Sequence, residues 1–133
     1  MSEDSLWLFQ RMIYLKLSTS KKLMEEVKAI YHYKPENTQF PYIQIGKLAV
    51  QDWSSFTSTG LGIEMVINIY SQGKSNKTLL RIISLVRKLL FTRKMSMESL
   101  KVIKFNFQSV EVIQMPGSEI FHASLKLQSL IEE

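Results

Sequence analysis

From Ser75 or Asn76 to about Phe91, apolar residues recur at helical spacing. Leu79, Ile82, Ile83, Val86, Leu89 and Leu90 share one face, while Lys77, Arg81, Ser84 and Lys88 lie opposite. A helix with a single apolar stripe needs a second apolar layer to cover it. The preceding residues can supply one. Between Gly62 and Ser71, Ile63, Met65, Ile67 and Ile69 alternate with Glu64 and Asn68, which is the period of a half-buried strand. The joining "SQGKSN" is turn chemistry.

The rest of the chain adds to this frame. Ser2 to Asp4 supply cap candidates and acidic charge for a first helix starting near Asp4, "SLWLFQRMIYLKL", in which Leu6, Phe9, Ile13 and Leu17 form one stripe. Trp7, Leu8, Tyr14 and Leu15 fall outside that stripe. A helix apolar nearly all round is buried on more than one side, against either a loop or a partner subunit. Ser18–Ser20 interrupt it before a further helical piece, "KKLMEEV". "AIYHY" reads as a short strand that ends at Lys34 and Pro35. Tyr42–Val50 is a strand that Gly46 disturbs. In "VIKFNFQSVEVIQM", Ile103, Phe105 and Phe107 share a parity that Val110 and Val112 do not, which predicts a bulge near Gln108. After a turn at Met115–Ser118, Phe121, Ala123, Leu125 and Leu127 alternate with His122, Ser124, Lys126 and Gln128, closing a hairpin. The expectation is one α+β domain over residues 1–133, a mainly antiparallel sheet of four to five strands packed against two helices.

Composition narrows the function classes. The chain has 133 residues, 45% apolar and 22% charged, which fits one globular core and not a disordered tail. It has no cysteine, so disulfides and thiolate chemistry are excluded. "MSEDSLW" has no basic region before an apolar run, so no signal peptide is expected, and no apolar run is long enough to span a bilayer. The net charge of +5 permits an acidic partner. Its densest stretch is "LVRKLLFTRK", and Lys77, Arg81, Lys88, Arg93 and Lys94 form a possible basic surface. Charge spread along a chain is more often a solvated helix face than a nucleic-acid stripe, so direct nucleic-acid binding is the minor alternative.

Catalytic chemistry has little to stand on. His32 and His122 are isolated, and neither has metal-ligand spacing to another ligand residue. Glu25–Glu26 and Glu132–Glu133 read as solvated pairs, and no phosphate-binding glycine pattern occurs. No catalytic, cofactor or metal residue is expected, and no cofactor.

One stretch resists the globular reading. "FPYIQIGKLAVQDWSSFTSTG" begins as a strand and then becomes a polar loop at about 50–61 that keeps Trp53 and Phe56. Exposed aromatics on such a loop need the core or another chain to cover them.

Taken in order, "FPYIQIG", "DWSSFT", "INIYSQGKS", "LLRIISLVRKLL" and the terminal "FHASLKLQSLIEE" resemble the phage tail-completion or tail-terminator family, found in siphophage minor tail proteins, prophages and gene transfer agents. The resemblance covers nearly the whole chain. It implies a non-enzymatic subunit of a hexameric ring at the head-proximal end of a phage-like tail, assembled in the host cytoplasm. Such a ring stops tube polymerisation and meets the head. The implied partners are further copies of the chain, the major tail tube protein and the head-tail connector protein, with no membrane; head-tail joining is the nearest alternative role. Asp52, Trp53, Ser54, Phe56 and Thr57 would lie on a loop reaching a neighbour, and Trp7, Leu8 and Leu15 on the first helix would add to the subunit interface.

Overall fold

The structure, a computed structural model, describes residues 4–54, 59–92, 95 and 100–133. Helices α1 (Ser5–Ser18) and α2 (Lys21–Glu26) come first, then strands β1 (Ala29–Tyr31), β2 (Tyr42–Asp52) and β3 (Gly60–Gln72). Helix α3 (Lys77–Phe91) follows, and β4 (Lys101–Gln114) and β5 (Ile120–Glu132) close the chain. The five strands form one sheet in the order β1-β2-β3-β5-β4. Every pairing is antiparallel except β1 on β2. This is the α+β architecture that the alternation of periods predicts.

Local chemistry sets the helix boundaries. The Asp4 carboxylate accepts from the Leu6 amide at 3.0 Å and starts α1. The Ser20 hydroxyl accepts from the Leu23 amide at 3.1 Å, so α2 is a helix in its own right. The three helices cover one sheet face. Phe9, Ile13 and Leu17 of α1 and Leu79, Ile82 and Leu90 of α3 are fully buried with Ile43, Met65, Ile67, Ile69 and Leu125 from the strands. Arg81 Nε donates to Glu26 Oε1 at 3.2 Å and ties α3 to α2, while the Arg87 guanidinium lies 4.4 Å over the Phe107 ring.

Two boundaries differ from the sequence reading. Strand β2 runs on to Asp52, and Gln51 and Asp52 pair with Gly62 and Leu61, so much of the expected loop at 50–61 is hairpin strand. Gln51, Asp52 and Gly62 show no apolar alternation, so it is cross-strand pairing rather than a side-chain pattern that makes them strand. In β4, the bulge expected near Gln108 is present between Phe107 and Ser109, and a second lies between Val102 and Lys104. The second bulge turns Ile103 outward, to 46% exposure, while Val102, Phe105, Phe107, Val110 and Val112 all pack toward the helices. Ile103 therefore does not share a face with Phe105 and Phe107.

Candidate interaction surfaces

Four surfaces stand out on this frame. The first is the tip of the β2–β3 hairpin. The Trp53 amide donates to the Gly60 carbonyl at 2.8 Å, and the Ser54 hydroxyl donates to Asp52 Oδ1 at 2.8 Å. The Ser54 hydroxyl also accepts from the Gly60 amide at 3.3 Å, so the polar side chains at this tip stitch its backbone. The Trp53 indole lies over Gly60, where an added Cβ would stand 2.7 Å from its ring. Even so held, Trp53 is 46% exposed. Phe56 and Thr57 lie outside the described residues.

The second surface surrounds α1. Trp7 is 49% exposed and borders a groove of about 320 Å³ lined with Tyr14, Ile30, Tyr31, His32 and Tyr33. Tyr14 and His32 face each other at 5.6 Å across it. Leu15 is half-buried. Leu8 corrects the sequence reading: it is buried in the core of its own chain, because α1 meets α3 as well as the sheet and so hides more than one stripe.

Lys77, Arg81 and Lys88 share the exposed face of α3, as the spacing predicts. Lys77 and Lys88 are exposed, Arg81 is engaged with Glu26, and Arg93 and Lys94 lie outside the described residues.

The third surface is the sheet face away from the helices. Among the described residues no helix crosses it. Along one end, the Tyr42 and Tyr70 rings stack at 4.9 Å, and Tyr70 stacks on His122 at 4.4 Å with the planes 4° apart. Strand register alone brings these three rings together, so spacing within any one strand does not announce the ladder. Desolvation by burial raises the Tyr70 pKa, and for Tyr42 it does so first, with the neighbouring Tyr70 adding to it.

His122 and Ser124 come together here, but not as a base and a nucleophile. Asn68 Oδ1 can only accept, so His122 Nε2 carries the proton that it donates across 2.8 Å. The same nitrogen is the one 3.3 Å from the Ser124 hydroxyl, and it has no lone pair left to take that proton. Among the described residues, no cluster of three or more metal-binding side chains occurs, and no helix is long and apolar enough to cross a membrane.

Burial lowers the His122 pKa below the ordinary histidine value. The unfolded chain then binds more protons as pH falls through the usual histidine range toward the folded value, so stability drops across that window. His122→Gln should flatten the fall in thermal midpoint between about pH 7.5 and about pH 5.5. An unchanged slope in the variant would exclude His122 as its source.

The fourth surface is the pair of sheet edges. Strand β1 covers β2 only at Tyr42–Gln44, and β4 has β5 as its one partner among the described residues.

The described residues thus form an α+β fold with open sheet edges and two exposed tryptophans. The chain belongs to the tail completion protein gp17 family, whose family model matches residues 11–132. Comparison with curated protein sequences returns no match. Among solved structures, a chain in the virion of a native gene transfer agent particle is similar over 99% of this chain and 100% of that one, with TM-score 0.86 and 18% identity. The gp17 protein of bacteriophage SPP1 is similar over 96% of this chain and 95% of that one, with TM-score 0.63 and 19% identity. At these identities the two likenesses speak for the fold.

Proposed function

We propose that the chain is a non-enzymatic ring subunit that completes a phage-like tail. It would close the head-proximal end of the tail tube, stop its growth and present a surface to the head connector. The observation that carries this reading is the placement of two exposed tryptophans. Trp53 follows one end of β2, and Trp7 borders the residues of β1, which pairs with the other end. The eleven residues of β2 separate those ends by roughly 30 Å. A closed ring is built from head-to-tail contacts and needs two different faces on every copy. Family membership and the occurrence of this fold in a gene transfer agent virion support the same role.

Electron microscopy of the purified protein, alone and mixed with tail tubes, tests the reading. Rings or capped tube ends are expected. Trp7→Ser with Trp53→Ser should keep the circular dichroism of the parent, because both side chains are half in solvent, and should lose capping. Capping by the double variant at parental levels would remove both tryptophans from the interface, and bare tube ends with the parent would refute the ring itself.

A further inference from the structure

The groove between α1 and β1 has the walls of a strand-binding site. Trp7, Gln10, Arg11 and Tyr14 stand at positions i, i+3, i+4 and i+7 of α1 and form one wall. This is a second stripe, separate from the one that Phe9, Ile13 and Leu17 bury against the sheet. The opposite wall is β1 with the two residues after it, ending at Tyr33. So α1 turns its core stripe to the sheet and an aromatic and basic stripe to the groove.

Strand β1 is the sheet edge on this side, and among the described residues no strand pairs with its outer margin. The Lys28 amide donates to the Pro41 carbonyl at 2.7 Å, on the side of β2. Backbone groups alternate sides along a strand, so those of Ala29 and Tyr31 turn outward. An extended peptide laid here meets a donor and an acceptor at each of these residues, which is recognition by strand addition. Three residues of edge are too few to attract strands indiscriminately. The aromatic wall adds affinity, through the alternate side chains that an incoming strand points into the groove. At about 320 Å³ the groove takes such side chains and is too small for a helix about 10 Å across.

Charge chooses among the strands that fit. Arg11 is exposed, and among the described residues no carboxylate lies within ion-pair distance of it. No described residue lining the groove is acidic. A carboxylate entering here gains a charge-assisted, two-pronged contact with the guanidinium. A basic strand meets only like charge, from Arg11 and from a chain of net charge +5.

We infer that this groove binds an extended, acidic segment of a partner protein, which adds as a strand to β1 and sets a side-chain carboxylate on Arg11. The inference goes beyond the ring reading and does not depend on it. Trp7 borders the groove, so a strand along β1 covers one side of it and leaves the other for a neighbouring copy.

Selection from a random linear peptide library on the immobilised full-length protein tests this, without rings or tail tubes. The selected peptides should alternate apolar side chains and carry a glutamate or aspartate. Arg11→Gln, an exposed change that leaves the core intact, should weaken them at least about tenfold. Ala29→Pro should abolish their binding, since proline removes an outward amide and leaves the ladder to β2 in place. Amide signals of Ala29 and Tyr31 should shift when a selected peptide is added and exchange more slowly with solvent. No peptide above background, or a predominance of basic peptides, would overturn the inference. So would selected peptides that bind Arg11→Gln as tightly as the parent, or that leave the Ala29 and Tyr31 signals unmoved. Self-association of the parent that Arg11→Gln abolishes would overturn it in favour of a second copy as the occupant.

Discussion

Phe9→Ala should destabilise the protein by about 3–5 kcal/mol, the usual cost of emptying a buried phenylalanine site. Phe9 is fully buried, and its ring meets Phe105 of β4 at 6.2 Å. It therefore bridges the first helix and an edge strand that are remote in sequence. Neighbours from two layers cannot collapse into the space together, so a cavity remains. Domains are stable by only about 5–15 kcal/mol, so the variant should stand near its unfolding limit, with a thermal midpoint lower by about 10 °C or more. Leu80→Ala is the internal control. Leu80 is 45% exposed on α3, and its loss should stay within about 0.5 kcal/mol. Denaturant midpoints for the three proteins check this; equal losses for both variants would mean that α1 is not packed as described.

Gly60→Ala should cost about 1–3 kcal/mol, although it adds a single methyl group. The new Cβ would lie 2.7 Å from Trp53 Cε3, 2.8 Å from the Trp53 carbonyl oxygen and 3.0 Å from the Ile131 carbonyl oxygen. Two of these neighbours are backbone oxygens, one just past the end of β2 and one in β5, which can yield only by spreading the hairpin from β5. The third is the indole that the proposed ring contact uses, so capping of tail tubes should weaken along with stability. Gly62→Ala separates this effect from a general intolerance of alanine. Its Cβ would meet the Gln51 side chain at 3.4 Å and Leu130 at 3.6 Å, which is ordinary contact, and limiting the unfolded chain favours the change. A thermal midpoint for Gly60→Ala equal to that for Gly62→Ala would contradict the close approach of Trp53.

Much of the frame was legible in the residues because one apolar layer dictates two periods. The stripe on α3 and the alternation in β3 and β5 fall where the periods place them, and the parity change between Phe107 and Val110 located the bulge at Gln108. The second bulge left no trace, because Ile103 is as apolar as the residues that it fails to join. The burial of Leu8 depends on how α1 crosses α3, and the extension of β2 through Asp52 depends on cross-strand pairing; neither is written in local spacing. Among the expected interface residues, the tip tryptophan could be singled out because an aromatic amid serine and threonine has no reason of its own to be there. The open sheet edges could not, since an edge is a property of strand order and not of side chains.

That strand order has a kinetic side. The β2–β3 and β4–β5 ladders are local hairpins, but the central ladder joins β3 to β5 across everything between Gln72 and Ile120. Loop-closure entropy delays such a junction until α3 has folded back and shortened the path. Until then each hairpin has two open sides instead of one. The nascent chain is therefore stickiest before the last ladder zips, and the speed of that step bears on how many copies escape aggregation.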